Sequence, residues 1–184
     1  MITSHEKEKA YNAIAFFLEN TSMCNKKKLY KLLWLFDSEH YEQTGRSVTG
    51  YDYEAWQMGP VPLKLHQAIQ RRDPDLLENF EVPITKGKKD PVLLRNKNPF
   101  DGRYFSKRQR RILSSLEDRF SLATGDEMEA WTHRSGTPWH RVWMVENRKN
   151  VVIPYDYALD HLPPEQQEAI RRIAEDRKAF LSAY

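Results

Sequence analysis

Residues 28–62 read KLYKLLWLFDSEHYEQTGRSVTGYDYEAWQMGPVP, and their spacing decides the fold. Leu29, Leu32, Leu33, Phe36 and His40 recur at the intervals of one helix face. Asn25 supplies a side-chain acceptor for the first turn, and Gly45 stands where a helix closes in the left-handed conformation. Polarity then alternates, with Tyr51, Tyr53 and Ala55 on one side and Asp52 and Glu54 on the other, as in a half-buried strand. Gly59-Pro60 reads as the break of that strand, and Pro62 as the first position of another helix. The pattern predicts one buried helix from Asn25 to Thr44 at the centre of the domain.

Upstream, Thr3 and Glu6 have capping-box spacing, and Tyr11, Ile14, Ala15 and Leu18 carry a first helix to Asn20. Downstream, Leu65 and Ile69 continue an apolar face to about Arg71, Asp73-Pro74 punctuates it, and Asp75 to Asn79 adds a helical turn. Phe80 to Thr85 and Val92 to Arg95 read as a hairpin joined by the polar KGKKD, with Pro83 marking an edge strand. Ser106 and Gln109 repeat the capping-box spacing ahead of Ile112, Leu113, Leu116 and Phe120. Thr124-Gly125-Asp126 opens a helix to about Arg134, and Pro138 starts another that carries Trp139 and Trp143. Val151 to Ile153 is a short strand, Pro154 opens a helix through Leu162, and Pro163-Pro164 separates it from a last helix. Ala169, Ile170, Ile173, Ala174 and Phe180 form that helix's apolar stripe. The predicted class is α+β and mostly α: a single compact helical domain with a small antiparallel sheet over residues 1–162. The C-terminal helix, residues 163–184, docks on it or serves a partner.

Composition narrows the function. The 184 residues are 40% hydrophobic, 12% aromatic and 30% charged, which are globular values. No run approaches the roughly 18–20 apolar residues of a membrane span. The charged N-terminus, MITSHEKEKAYN, is unlike a signal peptide, so a cytoplasmic protein is expected. The net charge is only +3, and the basic clusters (Lys26 to Lys28, Arg71-Arg72, Lys86 to Lys89, Lys107 to Arg111) are interleaved with acids. They read as solvated faces rather than the one-sided excess of a nucleic-acid binder.

The sequence carries few motifs for chemistry. Asp37 with His40, and Glu129 with His133, could each place two ligands on one helix face, but no third ligand is fixed and neither pair is HExxH. The single Cys24 forbids an internal disulfide or thiolate cluster. There is no GxSxG elbow and no phosphate loop of the GxxxxGK[ST] kind. Neither a cofactor nor enzymatic turnover is expected.

The run KLxKLLWLFD…GRxVTGxxYEAWxxGPVP resembles the Panacea domain, the family typified by the SocA antitoxin, and THRSGTPWHRVW followed by NVVIPYDYALDHL extends the likeness over roughly residues 5–162. The matching motif positions are Lys31, Leu32, Asp37, Gly45, Tyr53, Ala55, Gly59, Pro60, Val61, His133, Pro138 and Trp139. The resemblance implies a non-catalytic antitoxin that neutralises a cognate toxin protein by direct binding. It also implies a second mode, as an adaptor delivering the toxin to an ATP-dependent protease. By residue type the partner-binding candidates are Tyr51, Tyr53, Trp56, Trp139 and Trp143. The same motif residues have a purely structural reading, with Gly59 and Pro60 turning the chain and the aromatic rings filling the core. The competing functions are a nucleic-acid-binding regulator and a phage or mobile-element accessory protein that binds another host factor. A regulator would require Lys86 to Lys89 and Lys107 to Arg111 to converge on one face.

Overall fold

In a computed structural model of the chain, residues 5–83 and 94–182 are described, the side chain of residue 181 excepted. The first two helices are α1 (Glu6–Asn20) and α2 (Lys26–Thr44), followed by the strands β1 (Tyr53–Trp56) and β2 (Gly59–Pro62). Next come α3 (Leu63–Arg71), α4 (Pro74–Asn79) and the short strands β3 (Phe80–Glu81) and β4 (Arg95–Asn96). The second half is helical: α5 (Lys107–Phe120), α6 (Gly125–Thr132), α7 (Pro138–His140) and α8 (Pro164–Ser182). The predicted class, mostly helical with a little antiparallel sheet, is the observed one.

Helix α2 is the axis of the molecule, touching α1, β2, α5, α6 and α8. Asn25 Oδ1 accepts from the Lys28 amide at its start, and Gly45 closes it at φ 66°. Leu29, Leu32, Leu33 and Phe36 are fully buried, as their spacing predicts. Much of the rest of α2 is also enclosed, although Lys26 and Gln43 at its ends are exposed. Lys28, Lys31 and Asp37 are no more than 1% exposed. Lys28 is therefore not part of a solvated face: its Nζ donates to the carbonyls of Ser22 at 2.8 Å and Ser121 at 3.0 Å, beyond the ends of α1 and α5. Burial lowers the pKa of Lys28, and these carbonyls hold the ammonium against that cost, Ser121 O accepting from Ser22 N and Oγ as well.

Gly59-Pro60 does not break a strand: the chain reverses just before it, and these two residues open β2. Strand β2 pairs antiparallel with β1 in the register Tyr53↔Pro62, Glu54↔Val61, Ala55↔Pro60 and Trp56↔Gly59, around a Gln57-Met58 turn. Two prolines are tolerated because β2 lies at an edge, where a missing N–H costs no second ladder. Pro62 is the N-cap of α3 rather than its first residue. On the other side of β1, Ala55 N donates to Val151 O and Ile153 N to Tyr53 O, at 2.9 and 2.8 Å. Val151 to Ile153 thus hydrogen-bonds like a strand, although only Glu54↔Val152 forms a bridge.

Several other boundaries moved. His5 caps α1 without a side-chain bond, and Thr3 lies outside the described residues. The expected hairpin after α4 is observed as Phe80↔Asn96 and Glu81↔Arg95, its remainder and Lys86 to Lys89 lying outside the described residues. Pro138 starts a single α-turn that widens into a π-helical turn, Arg141–Val145. The helix expected from Pro154 to Leu162 is a 3-10 segment, Tyr155–Leu159. Tyr155 is held there from outside: its Oη donates to Tyr51 O at 2.7 Å and its ring stacks on Trp34 and Tyr41. The capping boxes at Ser106/Gln109 and Thr124/Glu127 form in full. Among the described residues no helix is long and apolar enough to cross a membrane.

Candidate functional site

Two stretches seventy or more residues apart in the chain, 28–62 and 132–143, meet beside the β1–β2 hairpin. Gly59, at φ 102°, lies directly over Lys31; a Cβ there would stand 2.5 Å from Lys31 Cε and 3.1 Å from Thr132 Oγ1. The close approach, together with the positive φ, requires glycine. Lys31 Nζ reaches the Pro60 carbonyl at 3.4 Å. Burial brings its pKa down to about 7, opposed by the charge of Glu129 and assisted by Lys27 and Lys26. Lys27 itself is paired with Asp126 at 2.7 Å and Glu129 at 2.8 Å.

Trp139 ties the second stretch to the hairpin by donating from Nε1 to the Trp56 carbonyl at 2.8 Å. One of its neighbours is His133, stacked at 3.6 Å between ring centroids and 11° from parallel. Another is Trp143, stacked at 5.5 Å and 14°, with Lys149 Nζ 5.2 Å above that ring. Thr137 caps this turn, accepting from the His140 amide, and Pro138 at the first position fixes its φ. His133 Nε2 is buried without a hydrogen-bond partner, and burial holds the imidazole below its usual pKa.

Asp37 has a different office. Its carboxylate accepts from the amides of Val48 and Thr49 at 2.7 and 2.9 Å, from Thr49 Oγ1, and from Tyr53 Oη at 2.8 Å. Burial raises its pKa while these donors pull against the rise. It fastens the loop after α2 to the start of β1. His40 is a satisfied core histidine. Its Nδ1 donates to Arg46 O at 2.8 Å, and its Nε2 lies 3.3 Å from the Gln109 amide nitrogen, so the ring is neutral with its pKa lowered to about 4.

The five aromatic candidates therefore separate. Tyr53 is 0% and Trp139 3% exposed, and both rings belong to the core, so neither offers a surface in this fold. Tyr51, Trp56 and Trp143 are half-buried, and only these keep ring area for contact. Trp56 donates to Glu54 Oε2 at 2.8 Å and meets His66 edge-on at 5.0 Å. Of the motif positions, Leu32, Ala55 and Val61 are buried in the core, and Gly45 receives α8: a Cβ there would lie 2.9 Å from Ile170 O.

Beside Trp56 opens a cleft of about 360 Å³, its lining including Tyr30, Lys31, Met58, Val61 and His66. Met58, at the turn, is 49% exposed, and Val152, across β1 from it, is 47% exposed. Directly paired residues share a sheet face, so Val152, Glu54 and Val61 form one row, with Trp56 on the same side as Glu54. No motif marks Met58, His66 and Tyr30, because only the packing of the hairpin beside α2 and α3 brings them to the cleft. Among the described residues no group of three or more His, Cys, Asp or Glu could hold a metal ion. The buried Cys24 thiol is pushed up to about 11 and is a poor nucleophile.

Against this geometry stands the match to a family model. Residues 29–140 match the model described as "Antitoxin SocA-like, Panacea domain", well over half of the chain. The chain belongs to the SocA-like antitoxin family. Its matched region begins at Leu29 and ends at His140, so it contains the Gly59–Lys31 approach, His133 and Trp139. No curated protein and no solved structure matched the chain significantly.

Proposed function

We propose that this protein neutralises a cognate protein toxin by direct binding, with the exposed face of the β1–β2 hairpin as the contact surface. Membership of the SocA-like antitoxin family carries the reading. The supporting geometry is that the second motif stretch buttresses this hairpin and leaves Trp56 and Met58 accessible on it, with Val152 beside them across β1. A half-buried tryptophan on a rigid support is the usual form of an energetic anchor, because it adds contact area with few rotamers to freeze. Occlusion of the toxin's active site is the simplest mechanism; delivery to an ATP-dependent protease would use the same first contact.

The test is co-expression with the product of the neighbouring gene. Rescue of growth and a complex on gel filtration are expected, and Trp56→Ala should weaken that complex by on the order of 2 kcal/mol or more. Circular dichroism separates the two roles of the residue. Lost rescue with an intact fold supports contact, whereas lost rescue with lost helicity assigns Trp56 to the scaffold. If the wild-type protein neither binds nor rescues against any neighbouring gene product, the reading falls.

A further inference from the structure

The cleft beside Trp56 is apolar along its walls and cationic at depth. Lys31 lines it at 1% exposure, and among the described residues the single hydrogen bond of its ammonium is the 3.4 Å contact to Pro60 O. An ammonium carries three donors, so most of its capacity is unused. Lys26, Lys27 and Lys31 all line the cleft. Glu129, the carboxylate that acts on Lys31, has an oxygen bonded to Lys27, which also holds Asp126. Tyr30 Oη and His66 Nδ1 pair with each other at 3.2 Å. A buried cation with so little compensation is costly unless a counter-charge arrives. The lowered pKa of Lys31 shows burial outweighing the charge of Glu129, which is itself bonded to Lys27.

We propose that this cleft binds a carboxylate, supplied by an Asp or Glu side chain of the protein partner, whose oxygens meet Lys31 Nζ while an adjacent apolar residue of the partner packs on Trp56 and Met58. The assignment rests on the protein-binding reading above. Its commitment to a protein source comes from shape and continuity. The cleft is open at the Met58 rim and runs onto the ribbon face that carries Val152, whereas a small-molecule site encloses most of its ligand. The charge excess selects an acid, and the ring and thioether select an apolar neighbour beside it.

The experiment uses the free, isotopically labelled protein and two probe peptides, acetyl-Phe-Glu-Leu-amide and acetyl-Phe-Gln-Leu-amide, with 3-phenylpropionate as a small carboxylate. The Glu peptide should shift the Trp56 indole N–H resonance and bind about tenfold tighter than the Gln peptide. Lys31→Met should erase that preference. Met58→Glu, on the exposed turn, places a carboxylate at the cleft mouth without touching the core, and should lower Glu-peptide affinity about tenfold even if the Lys31 variant fails to fold. Equal affinities for the two peptides, or a Glu preference that survives both substitutions, would overturn the proposal. Binding of 3-phenylpropionate with neither peptide would overturn the protein source. Failed growth rescue beside an intact Glu preference removes the antitoxin reading and leaves the cleft assigned. Rescue with equal peptide affinities removes the cleft alone.

Discussion

Single residues in this protein carry loads that follow from their surroundings. Gly59 is the sharpest case. An alanine there would meet Lys31 Cε at 2.5 Å and would hold a φ of 102° that L side chains rarely adopt. Gly59→Ala should therefore cost on the order of 2–4 kcal/mol, read as a shift of the urea midpoint at unchanged slope. His40 gives a pH prediction. Its folded pKa lies at about 4 against an ordinary 6.5, so between these values the unfolded chain binds the extra proton. Its contribution is fully present above pH 6.5, declines as the pH falls through that window, and is gone below 4. The loss should reach at most about 3 kcal/mol, checked by urea titrations at several pH values alongside the imidazole resonance, which should move only near pH 4.

Among elements, α2 and α8 are opposites. Every residue of α2 from Lys28 to Trp34 is buried, whereas none of α8's described residues falls in the buried class and Ile173 is 52% exposed. Helix α8 is held by its approach to Gly45 and by the Arg171–Asp156 ion pair at 2.9 Å, which is partly exposed and so weak. Its backbone amides should exchange well before those of α2, and ending the chain at Leu162 should leave the circular dichroism of residues 1–162 native. Loss of the whole fold on that truncation would make α8 an integral part of the core. The treatment of 163–184 as a separate C-terminal helix would then fail.

For the whole molecule, one contiguous apolar cluster runs from α1 through α2 and β1 to α5, α6 and the turn that carries Trp139. Unfolding should therefore be a single cooperative transition, coincident by tryptophan fluorescence and circular dichroism. Leu33 is 0% exposed at the middle of α2, so Leu33→Ala should cost about 2–5 kcal/mol, visible as an earlier urea midpoint. Two separated transitions would show that the hairpin and its Trp139 support form a unit of their own. The proposed contact surface is also a property of the whole. Trp56 is presented by β1, backed by Trp139 from α7 and flanked by Met58 from the turn, so three separate elements build it.

What the sequence determined by itself was the local grammar. The Asn25 cap, the Gly45 stop, both downstream capping boxes and the apolar face of α2 rest on interactions between residues a few positions apart, which spacing reports directly. The family resemblance was legible for the same reason, as motif residues at fixed intervals. The tertiary structure alone decided which polar residues are buried and what meets them. Lys28, Lys31 and Asp37 lie among the Leu, Trp and Phe residues of α2 with nothing in their spacing to say that neighbours would close over them. It alone turned the Gly59-Pro60 break into a hairpin, since the partner strand is recognised by pairing and not by composition. And it alone withdrew Tyr53 and Trp139 from the surface while leaving Trp56 on it, because exposure depends on what packs against a ring from distant parts of the chain.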